Sequence, residues 1–222
     1  MPWTFPGINI SSPPGYGADW GAVFVGAGVQ SRGRNNNTTD GAMGAGFGLG
    51  DANKYVGLEV GVSMLSFQNP DRGGIALKVS RRLPSNFGVA IGRENAVTWG
   101  TTDAPKSWYG SVSRMFQLKQ FADEWFSAFT LTAGVGNGRF LPESKLLARQ
   151  DGINVFGSAA IRIQQPVSFI ADWAGQDLNL GLSITPLRNW GLFVNPSLAD
   201  VTGNAGNGAR FLLGVGFGYI FI

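Results

Sequence analysis

Two groups of side chains in this 222-residue sequence have the make-up of a chemical site. Asp172 and Asp177 flank Ala174-Gly175-Gln176, and Asp123 and Glu124 share one connection. Carboxylates set across a tight hairpin could hold a hydrated cation, and they serve equally to cap the turn and line a wet mouth. The run Gly44-Ala45-Gly46-Phe47-Gly48 has the superficial look of a nucleotide loop. Its glycines keep a period of two with apolar partners, and no helix opens after them to receive a phosphate. The chain has no His and no Cys. Without His, no residue has an unperturbed pKa suited to relaying a nucleophile's proton, which excludes a Ser-His-Asp hydrolase or a histidine-assisted acyltransferase. Without His and Cys, zinc and haem lack their usual ligands. The expectation is a protein that is not an enzyme, with no catalytic residues, no metal and no cofactor.

A third set of candidates consists of single charges inside otherwise apolar zigzags: Glu59, Lys78, Arg82, Arg162, Asp172 and Arg210. In an extended strand successive side chains point to opposite faces, so each of these points away from its bulky neighbours. If the bulky face meets lipid, a charge there at mid-depth would cost roughly 2 to 4 kcal/mol, and turning it into a wet lumen avoids that cost. More base than acid among the six would make a narrow pore mildly anion-preferring. The same six could instead form an ion-pair network that braces a closed barrel.

The elements that must position these charges are strands. From Ala209 to the end, Phe211, Leu213, Val215, Phe217, Tyr219 and Phe221 alternate with Arg210, Gly214, Gly216 and Gly218. A period of two over that length is a strand, and its opposite face, Leu212 and Ile220 apart, is mostly glycine hydrogen. Glycine facing inward would leave volume in a barrel that is otherwise small. Comparable alternation runs over 20–30, 41–50, 55–67, 74–83, 87–92, 108–118, 129–136, 155–164, 167–173, 178–184 and 190–195, about twelve strands in all. The side of 108–118 that faces outward stays open, because Trp108, Val112, Arg114 and Phe116 compete with Tyr109, Ser111, Ser113 and Met115. Connections 51–53, 84–86, 119–125, 165–166 and 186–189 are short, and the alternate set holds the long ones: 31–40, 94–106, 137–152 and 196–208. That sorting is the asymmetry of a barrel with short turns at one end and long loops at the other.

Composition agrees. Charged residues are 14% of the chain, against roughly 25% in soluble proteins. No apolar run approaches the roughly 18 to 20 residues of a spanning helix, so any membrane crossing is by strands. Net charge is +3, but Lys and Arg are scattered without the dense runs of nucleic-acid arms. Residues 1–19 carry Pro2, Pro6, Pro13 and Pro14 with Gly7, Gly15 and Gly17, a poor helix and a poor central strand. They are expected to form an arm or a partial plug of the barrel mouth, with 20–222 as the barrel domain. Met1-Pro2-Trp3-Thr4-Phe5-Pro6 shows no secretory signal.

The aromatic, alternating final stretch resembles the closing strand of bacterial outer-membrane β-barrels. Asp172-Trp173-Ala174-Gly175-Gln176-Asp177-Leu178-Asn179-Leu180-Gly181 is similar to a hairpin of outer-membrane barrels associated with exopolysaccharide export. The fold class expected is all-β: a closed antiparallel transmembrane β-barrel of about twelve strands in meander topology, in the outer membrane. The first resemblance implies a porin-like narrow passive channel for small hydrophilic solutes, with membrane lipid as its surroundings. The second implies a non-conducting barrel that anchors, or forms part of, an envelope or polysaccharide-export assembly with an envelope protein partner. A soluble secreted or viral β-sandwich is the third possibility. It would bury the bulky faces between two sheets.

Overall fold

In a computed structural model that describes residues 6–100, 105–187 and 190–221, the alternating segments close on themselves. Among the described residues the chain forms twelve strands: β1 Ala22–Gln30, β2 Asp40–Gly50, β3 Gly57–Met64, β4 Gly73–Leu83, β5 Phe87–Trp99, β6 Ser107–Gln117, β7 Ala128–Gly136, β8 Asn154–Gln164, β9 Val167–Trp173, β10 Leu178–Ile184, β11 Leu192–Ala199 and β12 Arg210–Ile220. Each pairs antiparallel with its neighbour in sequence, and β12 pairs with β1 from Ala22↔Ile220 to Gln30↔Leu212. The result is a closed meander barrel with no free sheet edge, so every strand finds its ladder partners on both sides. The expected fold class is the one observed. Two stacked sheets are not.

The ladder register keeps large side chains on the outside. Val25, Phe47, Ile91, Val112, Leu131, Phe211 and Val215 are all exposed, and the pairs Val25↔Ala45, Ala27↔Val215 and Val112↔Ala133 share that face. The undecided strand is settled in the same way. Ser107, Tyr109, Ser111 and Ser113 are buried and Trp108 and Val112 exposed, so the serines and Tyr109 face in and Trp108 and Val112 out. Inward glycines take rings from neighbouring strands: a Cβ on Gly134 would collide with the Phe156 ring, one on Gly92 with Tyr109, and one on Gly46 with Phe24. Tyr109, Phe140 and Phe156 form the buried cluster, with Phe140 and Phe156 stacked at 4.4 Å. The core of this molecule therefore lies inside the barrel, near the end that carries the long connections.

Two strands run further than alternation alone implies. β5 continues from Glu94 to Trp99, where a loop is expected from the sequence. Between Ile75↔Val97 and Leu77↔Arg93 it carries three residues against one on β4, a bulge in which Asn95 takes a left-handed φ of 52°. The bulge absorbs the polar residues that break the period of two, and Val97 and Trp99 resume the outward face. β11 likewise passes through Pro196 to Ala199; its ladder to β10 jumps from Gly181↔Ser197 to Ile184↔Val194. Proline has no N–H to give, and the strand tolerates it because the pairing with β12 is continuous there. The long connection 137–153 folds into a 3-10 turn, Gly138–Phe140, and a short helix α1, Glu143–Leu147. Met1 to Phe5 of the expected arm, 101–104 of one loop, Arg188-Asn189 of one turn and Ile222 lie outside the described residues.

Candidate functional site: the barrel interior and the N-terminal arm

The segment from Pro6 to Asp19 enters at the short-turn end, rises along the inner wall to the loop end and doubles back. Proline and glycine suit it to this path: it offers backbone N–H groups to side chains instead of to a sheet. At the entrance, Asp19 pairs with Arg82 at 2.7 Å and accepts the Ala52 N–H at 2.8 Å. Ala18 donates its N–H to Glu59 at 2.9 Å. Higher up, Gly15 donates to Ser113 Oγ at 2.9 Å, and its Cα lies so close to the β5–β6 seam that an added Cβ would strike the Gly88 carbonyl and the Ser113 nitrogen. On the return, the Ile8 carbonyl accepts from Ser158, and Gly7 donates to Ser183 at 2.7 Å.

Asp172 on β9 is the hub. It is 0% exposed. Its Oδ2 accepts the Ile10 N–H at 2.9 Å, while its Oδ1 accepts the Ser11 and Ser12 hydroxyls at 2.9 and 2.8 Å. The Ser12 N–H reaches the same carboxylate at 3.1 Å. A buried carboxylate surrounded by donors is held by charge-assisted bonds, which are about twice as strong as neutral ones. A cation between Asp172 and Asp177 is not what this geometry serves, since each carboxylate is engaged elsewhere.

The other five predicted charges fall into four places. Glu59 and Lys78 face each other across the β3–β4 ladder at 3.9 Å. Arg82 holds Asp19 at the turn end, as above. At the loop end Arg210 reaches Asp177 at 3.8 Å and donates to Gln30 at 3.2 Å, while Arg162 is buried near the short-turn end of β8. Two side chains that alternation did not single out matter as much. Arg34, in the first long loop, pairs with Asp177 at 3.4 Å and with Gln176. Arg139, in the 3-10 turn, grips Glu94 through two nitrogens, reaches the Ser11 carbonyl at 2.9 Å and lies over the Phe140 ring at 4.3 Å. Both belong to loops, where no periodicity announces a facing direction.

Electrostatics at this end follow from burial. Desolvation lifts the Asp177 carboxyl above its ordinary 3.8, against the opposing pull of Arg34 and Arg210. Burial acts to lower Arg139, but the Glu94 carboxylate beside it more than compensates and holds the guanidinium above its usual value. Arg139 is therefore a permanent cation that ties the arm to β5.

The arm leans on one side. From Gly7 to Ala18 its hydrogen bonds among the described residues go to β3 and β6–β10, to the turn before β5 and to Arg139. The opposite wall, β11–β12–β1–β2, takes none of these bonds, although Ala18 and Asp19 lie against Gly48 of β2 and the Phe24 and Phe193 rings cover Gly46 and Gly216. A cavity of about 340 Å³ there is bordered by Ile10 of the arm and by Gly28, Gln30, Asn195, Ser197 and Gly214. A second, of about 380 Å³, lies between Pro13 and the wall formed by Gly26, Gly44 and Gly61, with Glu59 and Lys78 at its side. Added Cβ atoms on Gly28 and Gly214 would meet nothing closer than 3.7 and 3.6 Å. This wall owes its clearance to glycine.

No protein-family model matches the sequence, and no curated protein matches it. Solved structures do. A KdgM porin structure aligns over 88% of this chain and 98% of its own at 12% identity, with a TM-score of 0.53. A second, described as KdgM porin in complex with disordered oligogalacturonate, aligns over the same shares at 14% identity and a TM-score of 0.52. At these identities the likeness is one of fold: the chain has the barrel architecture of a porin.

Proposed function

We propose that this protein is an outer-membrane barrel working as a narrow passive channel for small hydrophilic solutes, with its N-terminal arm as a partial plug. The observation that carries this reading is the pair of cavities along the glycine wall, beside an arm that is bonded to the opposite side. A tightly closed barrel would have that wall filled throughout by side chains, as Gly134 and Gly136 of β7 are covered by the Phe156 and Phe140 rings; here rings cover Gly46 and Gly216 but leave Gly28 and Gly214 clear. The exposed outer face of Phe, Leu, Val and Ile supports insertion, since an apolar surface of that extent in water is an aggregation hazard. On this reading the short turns are periplasmic and the long loops external.

Solutes pass on the β11–β12–β1–β2 side, in contact with Gln30, Asn195 and Ser197, hydrogen-bonding groups suited to hydroxyl-rich molecules. At the loop end Arg32, Arg34 and Arg210 outnumber the two buried carboxylates beside them, Asp177 and Asp200, which leaves this cluster positive and favours anions. The oligogalacturonate seen with a porin of the same fold is a carboxylate-bearing sugar chain, and acidic sugar fragments are the solute class that this mouth would attract. The direct test is reconstitution of the purified protein in planar bilayers. Discrete conductance steps with a reversal potential displaced toward anions in a salt gradient are expected; a barrel that inserts and passes no current would overturn the channel.

A sealed barrel serving an envelope or export assembly is the second reading. The bonded arm and the knitting of Arg34, Glu143 and Gly206 across three loops favour it. It predicts stable co-purification of an envelope protein and silence in the bilayer.

A further inference from the structure

Along the outer face of the described strands the charged residues are three arginines, Arg81, Arg93 and Arg114, and no carboxylate shares that face. All three sit on adjacent strands, β4, β5 and β6. The register fixes their levels: Arg114 stands opposite Phe87 near the short turns, Arg81 opposite Val89 one outward step higher, and Arg93 opposite Trp108 near the long loops. Six residues separate Phe87 from Arg93, roughly 20 Å along the strand, so long guanidinium side chains reaching up and down from these levels come to the two edges of an apolar band about 25 Å tall.

The lower pair is built like a site. The Arg114 guanidinium lies 4.7 Å from the Phe87 ring and 4.5 Å from the Phe116 ring, and Phe116 in turn packs on Phe129 at 6.3 Å. Stacking between two rings restricts its rotamers; its buried Nε has no hydrogen-bond partner and no carboxylate lies within ion-pair distance among the described residues. Arg81 is exposed and also without such a partner. One strand lies between them, which places their Cα atoms on the order of 12 Å apart by ladder spacing. Each side chain spans about half of that, so both reach one phosphodiester.

We propose that Arg81 and Arg114, framed by Phe87 and Phe116, bind the phosphate of an anionic phospholipid in the leaflet on the short-turn side. This rests on the reading that the outer face meets a bilayer. The rings sit at the depth of the acyl–headgroup boundary, where aromatic side chains partition, and two planar guanidiniums match a phosphate's oxygens. An acidic protein partner would instead be met by a surface mixing both signs, and this face carries one sign among rings and branched side chains.

The test is native mass spectrometry of the full chain titrated with phosphatidylglycerol or phosphatidylcholine, each variant first checked for heat-modifiable folding in phosphatidylcholine vesicles. The wild type is expected to retain phosphatidylglycerol in preference, the R81Q/R114Q variant to bind it about ten- to thirtyfold more weakly, and R81K/R114K to keep most of the preference. R81Q alone, an exposed site, is expected to lose severalfold and serves if R114Q does not fold. Equal retention of both lipids by the wild type, undiminished retention by R81Q, or a self-associated species dispersed by R81Q/R114Q in place of a lipid adduct would overturn the proposal. Failure of the wild type to fold into phosphatidylcholine vesicles would strike the membrane reading itself, whereas folding without lipid preference strikes only this site.

Discussion

Glycine does two opposite jobs on the same inner face, and which one it does depends on the neighbouring strand. Gly134 leaves room for the Phe156 ring, itself locked against Tyr109 and Phe140, and a methyl group there would also press the Gly110 carbonyl. Gly214 and Gly28 would admit a Cβ at ordinary contact distance, with nothing nearer than 3.6 and 3.7 Å. Gly134→Ala is therefore expected to destabilise the barrel by about 1 to 3 kcal/mol through overpacking, read as a lower temperature of heat-modifiable migration. Gly214→Phe is expected to fold normally and to cut single-channel conductance at least severalfold; unchanged conductance would mean that solutes do not use that wall.

At the level of the element, the arm is placed by side chains of the barrel wall. It contributes no strand to the sheet, so its place depends on side chains that meet its backbone, above all Asp172, and on the close approach of Gly15 to Gly88. Asp172→Asn keeps the shape and removes the charge, weakening bonds that are worth about 1.5 to 3 kcal/mol each when charge-assisted. Gly15→Val forces the arm off the β5–β6 seam by contact with backbone that cannot yield. Both variants are expected to leave the twelve-strand ladder intact and to raise conductance or its noise, with faster proteolysis between Pro6 and Asp19. Wild-type conductance and protection in both would show that the arm does not restrict the lumen.

For the molecule as a whole, the loop end is a single electrostatic unit in which Arg34 of the first long loop and Arg210 of β12 share Asp177 of the β9–β10 connection. Its carboxyl is raised by burial, so the stability it contributes is complete below 3.8 and is lost as pH rises through the higher folded value. Acidification from neutrality through that window neutralises Asp177 in the folded barrel and removes one of the carboxylates that face Arg34 and Arg210. Anion selectivity is expected to rise as pH falls, with a gain in thermal stability relative to Asp177→Asn, which should show neither change. Equal pH profiles for the two proteins would remove Asp177 from the mouth's charge balance.

The sequence alone determined the barrel, because a period of two is a local property: each strand from β1 to β12 carries its own inward and outward faces, and sorted connections tell which ends meet. It also determined that single charges such as Asp172 and Lys78 leave the bulky face. It could not reach past the points where periodicity stops. Glu94 to Trp99 hid a strand behind a bulge, Pro196 hid another behind a missing donor, and Arg34 and Arg139 sit in loops without a facing rule. Tertiary structure decided which glycines are filled and which stay open, where the arm lies, and which charges meet, since each of those depends on strands or loops brought together only when the barrel closes.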